Sequence, residues 1–123
     1  MHPNKIYFKW KVVNVVKIKF ITLEDLLEMK TNEEDFKLVE VLSEDSFKKG
    51  HIPGAINIPV GKLDTEADKK LEKTDKIVVY CSSYSCHAST NAAKTLLEMG
   101  YENVLDFKTG KKGWSDAGLH LET

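Results

Sequence analysis

Arginine is absent from this sequence, and all 18 basic residues are lysine. Chemistry that depends on a planar guanidinium fork, such as a bidentate clamp on an oxyanion, is excluded at the outset. A dominant charge is also lacking. With 18 basic and 19 acidic residues the formal net charge is −1, and no patch mixes aromatic with basic side chains, so nothing here gathers nucleic acid. Cysteine is scarce. The two present, Cys81 and Cys86, allow at most one intramolecular disulfide, too few for a small secreted scaffold. Long hydrophobic runs are missing as well. Lys5, Lys9, Lys11, Lys17 and Lys19 interrupt the apolar-rich segment from Ile6 to Ile21, which excludes a bilayer span or a signal-peptide core. The expectation is a soluble cytoplasmic protein in a reducing compartment, with no nucleic-acid and no membrane partner.

The 123 residues, 41% of them hydrophobic, suit one compact domain with a single core. No internal repeat or low-complexity tract breaks it. Ile6, Phe8, Trp10 and Val12 alternate with polar residues as in a half-buried strand, and Val16, Ile18 and Phe20 do so again after Asn14. These read as a hairpin or one bent strand. Residues 1–16 are accordingly assigned to an amino-terminal extension carrying an added β element, and 17–123 to the main domain.

Thr22, with Asp25 three positions on, predicts a capped helix that ends near Lys30. A strand over Phe36–Leu42 follows, and then a short helix capped by Ser43 and halted by Gly50. Gly50-His51-Ile52-Pro53-Gly54-Ala55-Ile56-Asn57-Ile58-Pro59 brackets a very short strand with turn residues. Leu63, Ala67 and Leu71 then mark one stripe of a helix over Val60–Lys73. The remaining elements are a strand over Ile77–Cys81, a helix over Ala88–Met99 stopped by Gly100, a strand over Val104–Phe107, and a short helix begun by Gly110, Gly113 and Trp114. Alternating strands and helices predict an α/β domain with a mostly parallel sheet and a site at the strands' carboxyl edge.

Both cysteines fall in one such position, Ile77-Val78-Val79-Tyr80-Cys81-Ser82-Ser83-Tyr84-Ser85-Cys86-His87-Ala88-Ser89. A loop between a strand's carboxyl end and a helix's amino end presents unpaired N–H groups and a favourable dipole to an anion or thiolate. A lone cysteine is ordinarily a small buried hydrophobe. Cys81, however, closes an apolar run, is followed by Ser82 and Ser83, and precedes a helix, so a reactive thiol with lowered pKa is expected. Ser82, Ser83, Ser85 and Ser89, with the loop N–H groups, are expected to cradle a sulfur or small anion. Cys86 is spaced to pair with Cys81 without being obliged to. Cys81, Cys86 and His87 supply at most three zinc ligands, so no metal is expected. His87 either stabilises a thiolate or acts as general acid, or is an exposed first-turn helix residue with no role, and His51 is a hydrogen-bonded structural one.

Taken together, Gly50 to Pro59, the strand Ile77–Cys81 with the Ala92-Ala93-Lys94-Thr95-Leu96-Leu97 helix, and Gly113-Trp114 with Ala117-Gly118-Leu119 resemble the rhodanese-like domain family. The resemblance runs from about Lys17 to Glu122. It implies a three-layer α/β/α fold with about five strands. It also implies a sulfurtransferase in which Cys81 takes sulfane sulfur from a donor, holds it as a persulfide and passes it to a thiol or other nucleophilic acceptor, with no cofactor. The active-site loop implied is Ser82, Ser83, Tyr84, Ser85, Cys86, His87, Ala88 and Ser89.

The departures matter equally. The family's second strand usually ends in Asp-Val-Arg; here it reads Glu40-Val41-Leu42, so the arginine's polar network is expected to be missing. Counting back from Ala92-Ala93 and Gly100 makes the loop two residues longer than usual. Enlarged loops in this superfamily accompany phosphate or arsenate, but that mechanism needs arginine, so a phosphatase is excluded. No lysine lies between Cys81 and Ser89, which predicts poor use of the thiosulfate dianion. Two other readings stand beside sulfur transfer: a redox enzyme or sensor with Cys86 as resolving partner of Cys81, and a non-catalytic rhodanese-like binding or regulatory module.

Overall fold

The computed structural model describes residues 18–123. The strand pattern of Lys5 to Val12, and with it the proposed extension, lies outside them. Strand β1 (Lys19–Ile21) leads into α1 (Leu23–Thr31), β2 (Lys37–Glu40), α2 (Glu44–Lys49) and β3 (Ile56–Asn57). A 3-10 turn (Val60–Lys62) then precedes α3 (Leu63–Lys70), β4 (Lys76–Tyr80), α4 (Ala88–Glu98), β5 (Asn103–Phe107) and α5 (Gly110–Asp116).

The five strands form one sheet in the order β1-β5-β4-β2-β3, and every pairing is parallel. A parallel sheet covered on both faces calls for continuously apolar central strands. Ile77, Val78 and Val79 of β4 meet that demand, and none is exposed. Alternation along β4 separates two cores. Ile77, Val79 and Cys81 pack with Leu63 and Ala67 of α3 and Ala92, Ala93 and Leu96 of α4. Val78 and Tyr80 pack on the opposite face with Leu26 and Met29 of α1 and Trp114 of α5. The result is the expected three-layer α/β/α arrangement, although with two cores rather than the single one anticipated.

Local chemistry sets the helix ends. Thr22 and Asp25 form a reciprocal capping box, with Thr22 N–H to Asp25 Oδ2 at 2.9 Å and Asp25 N–H to Thr22 Oγ1 at 3.1 Å. The Ser43 hydroxyl caps α2 through the Ser46 N–H at 3.2 Å. The helix expected over Val60–Lys73 is shorter: its start is the 3-10 turn and it ends at Lys70, because Leu71 is extended (φ −130°, ψ 150°). Its N–H still bonds Ala67, and Leu71 remains buried. Among the described residues, no helix is long and apolar enough to cross a membrane.

Candidate active site

Strand β4 ends at Tyr80, so Cys81 is the first residue beyond the carboxyl end of a strand flanked by β2 and β5. Residues 82–87 then turn the chain into α4. The turn closes where the Cys86 N–H donates to Ser83 O at 3.0 Å, with the Ser83 and Ser85 hydroxyls 3.2 Å apart. Ala88 and Ser89, expected within the active-site loop, form the first turn of α4.

The loop is held from outside by residues distant in sequence. At the start of α5, the Lys111 N–H donates to Cys81 O at 3.0 Å and the Lys112 N–H to Ser82 O at 2.8 Å. Gly110, with φ +62°, makes this approach possible. Lys108 supplies the second anchor. Its ammonium donates to Tyr84 O at 2.8 Å and Cys86 O at 2.5 Å, and lies 5.4 Å from the centre of the Tyr84 ring. The loop itself contains no cation, as its sequence says, but one is brought to it.

The two sulfurs meet inside this frame. Cys81 is fully buried and Cys86 partly exposed, and both are free thiols. The Cys81 thiol donates to Cys86 O at 3.5 Å, and the two thiols are near enough that each shifts the other's pKa, Cys81 upward and Cys86 downward. Ser89, through its N–H and its hydroxyl, acts to lower the Cys81 pKa. The Ser89 hydroxyl lies beside the Cys81 sulfur, fully buried, without a well-aligned hydrogen bond to any group. More groups act to lower the Cys86 pKa: the Ala88 N–H, the Ser82 N–H and the Ser82 hydroxyl, beside Cys81.

This distribution corrects the expectation of a lowered Cys81 pKa. Burial pushes the Cys81 thiol up, and its bond to Cys86 adds to that, outweighing Ser89. For Cys86, burial also acts upward but is overcome by the donors from Cys81, Ala88 and Ser82, so its thiol is held below the ordinary range. The helix terminus does favour an anionic sulfur in this loop, and of the two thiols it is Cys86 whose pKa is lowered.

The other predicted residues are placed as follows. His87 is exposed at the N-cap position of α4 and its side chain makes no capping bond. Tyr84 is 72% exposed. With Phe20, Ile21, Thr22, Lys108 and Thr109 it lines a cleft of about 420 Å³ beside the loop. His51 is structural: its Nδ1 lies 2.8 Å from Phe47 O and its ring stacks on Phe47 at 3.7 Å. Among the described residues there is no group of three His, Cys, Asp or Glu side chains suited to a metal.

A polar network that the sequence did not suggest centres on Glu40. Glu40, fully buried, accepts the Tyr80 hydroxyl at 2.8 Å and the Lys111 ammonium at 3.1 Å. Lys111 donates further to Ser46 O at 3.1 Å and Gly50 O at 2.8 Å, and Tyr80 accepts the Ile52 N–H at 3.0 Å. A lysine therefore neutralises the buried carboxylate and joins β2, β4, the Gly50 turn and the Cys81 carbonyl. Sequence reasoning missed Lys111 because 71 positions separate it from Glu40. The only local sign was Glu40 itself, an acidic residue between Val39 and Val41 at the end of β2.

Comparison with known proteins places this geometry. Residues 22–117 match the profile of the family described as "Rhodanese-like domain". The Bacillus subtilis protein YrkF, provisionally described as a sulfur carrier protein, is 28% identical over 102 residues; the match covers 83% of this chain but only 54% of YrkF, so the chain spans about half of that relative. A mitochondrial protein of Schizosaccharomyces pombe, provisionally described as a thiosulfate sulfurtransferase, is 31% identical over 125 residues, covering 92% of this chain and 87% of that one. Among solved structures, the BH2092 protein of Bacillus halodurans superposes with a TM-score of 0.77 at 27% identity, covering 98% of this chain and 86% of its own. With the profile spanning most of the chain and the same fold in its relatives, this chain belongs to the rhodanese-like domain family.

Proposed function

We propose that this protein is a sulfurtransferase that carries sulfane sulfur as a persulfide on Cys81. The observation that carries the reading is the position of Cys81, buried just beyond the carboxyl end of β4 in the parallel sheet and before the amino end of α4. That arrangement supports an anionic sulfur at this point. The family membership and the names of YrkF and the S. pombe relative point the same way.

In the proposed reaction the Cys86 thiolate takes the Cys81 proton, and the Cys81 sulfur attacks the outer sulfur of a donor persulfide. The donor's S–S bond breaks as the Cys81 persulfide forms. The departing donor thiolate takes the proton back from Cys86. A nucleophilic acceptor thiol then removes the outer sulfur and regenerates Cys81. The cleft between Phe20 and Tyr84 is the proposed seat for the donor or acceptor body.

A second reading is favoured by the nearness of the two cysteines, Cys81 Sγ lying 3.5 Å from Cys86 O. A resolving attack by Cys86 on the inner sulfur of the Cys81 persulfide would form a Cys81–Cys86 disulfide and release sulfide, giving a redox cycle that a cellular thiol must reopen. Mass spectrometry of the protein treated with glutathione persulfide tests both. An added sulfur that is lost in Cys81→Ser is expected. A disulfide with no persulfide would favour the redox pair, and an inert Cys81 would leave a binding module.

A further inference from the structure

The carbonyl oxygen of Cys86 serves two donors at once. The Cys81 thiol reaches it at 3.5 Å and the Lys108 ammonium at 2.5 Å, and the same ammonium also bonds Tyr84 O at 2.8 Å. The shared oxygen keeps the ammonium and the Cys81 sulfur no more than about 6 Å apart, the range in which an opposite charge favours an ionised group. Lys108 comes to the loop from between β5 and α5, 22 positions beyond Cys86.

The other charged groups on the elements around Cys81 are engaged elsewhere or face solvent. Glu40 of β2 takes the Lys111 ammonium, Asp106 of β5 accepts the Thr90 hydroxyl at 2.8 Å through Oδ2, and Lys112 pairs with Asp116. On the loop itself, His87 and Tyr84 are exposed and Cys86 is a free thiol.

A thiol can donate to a carbonyl, and a thiolate cannot. Once Cys81 gives up its proton to attack a sulfur donor, Cys86 O turns the negative end of its dipole toward an anion. An ammonium on that same oxygen draws charge from the carbonyl and sets a full positive charge behind it. The bond to Tyr84 O fixes where the ammonium stands. With its bonds directed at loop carbonyls, the ammonium acts on a sulfur that the protein already holds and is no open seat for a dissolved dianion.

We propose that Lys108 is a positioning residue for sulfur transfer: it fixes the Cys86 carbonyl and supplies, through it, the positive charge that lets Cys81 react as an anion. This rests on the reading of Cys81 as persulfide carrier.

The test follows single-turnover loading of the protein with glutathione persulfide. Lys108→Met and Lys108→Gln should slow loading at saturating donor by roughly tenfold, with the half-saturating donor concentration nearly unchanged, while Lys108→Arg keeps most of the rate. The glutamine keeps an N–H donor without the charge, so it also serves if the methionine variant does not fold. In a Cys86→Ser background, which leaves one thiol to follow, Lys108→Gln should raise the pH midpoint for iodoacetamide labelling of Cys81 by about one pH unit. Wild-type loading by Lys108→Gln, or an unmoved midpoint, would overturn the proposal. So would a change confined to the half-saturating concentration: Lys108 lines the cleft with Phe20 and Tyr84, and it would then be binding the donor. Failure of the parent reading looks different, with no sulfur on Cys81 in any variant, wild type included, while the labelling midpoint still moves with Lys108.

Discussion

Gly110 lies against the carbonyl of Cys81 so closely that a Cβ there would come within 2.3 Å of Cys81 O and 2.9 Å of its carbonyl carbon. Both contacts are with backbone, which cannot rotate away. The φ of +62° adds a second penalty for any side chain. Gly110→Ala is expected to cost about 2 to 5 kcal/mol, combining left-handed strain with overpacking. Chemical denaturation reads the loss, and an unchanged midpoint would show that α5 does not bear on the loop.

Lys111 joins the same carbonyl to a buried acid. Its side chain is 17% exposed and its partner Glu40 is not exposed at all, so removing the ammonium strands a carboxylate in the interior. Lys111→Met should destabilise the protein by about 3 to 5 kcal/mol. Adding Glu40→Gln should restore a large part of that loss, since the charge that needed compensation is gone. Equal destabilisation of the single and double variants would sink the account.

The two thiols should separate in an alkylation profile. A thiol whose pKa is raised stays protonated, and unreactive, to higher pH; one whose pKa is lowered becomes thiolate at lower pH. Burial raises Cys81, and the donors from Cys81, Ala88 and Ser82 lower Cys86. Iodoacetamide should therefore label Cys86 first as pH rises, with Cys81 following. Peptide mapping at each pH would expose the reverse order.

Thiosulfate should be a poor donor. The loop carries no cation of its own, and the ammonium nearest to it, on Lys108, is already committed to Tyr84 O and Cys86 O. A dianion gains little there. Steady-state kcat/KM for glutathione persulfide is expected to exceed that for thiosulfate by about tenfold or more, a difference of about 1.4 kcal/mol in transition-state stabilisation. Efficient thiosulfate turnover at micromolar concentration would contradict this.

Much of the scaffold was legible because it depends on neighbours in sequence. The Thr22–Asp25 box, the Ser43 cap and the apolar run of β4 each follow from residues a few positions apart, and so does the placement of Cys81 between a strand and a helix. What escaped was everything created by packing α5 and its preceding turn against β4. Lys108 on Cys86 O, Lys111 on Glu40 and Gly110 on Cys81 O join segments that no local pattern connects. The thiol pKa order was misjudged for the same reason. A helix terminus favours a thiolate, but burial decides which of two nearby sulfurs receives the benefit.

The sheet order carries a consequence for synthesis of the chain. Among the described strands β1 pairs only with β5, Lys19 opposite Leu105. As the chain leaves the ribosome, β1 emerges first of these strands and waits for the last before any ladder forms on it. Until then Phe20, still 55% exposed in the finished fold, stands on an unpaired edge. Long-range parallel pairing of this kind forms late and leaves edges open to wrong partners. The nascent protein is therefore most vulnerable to aggregation just before β5 is released.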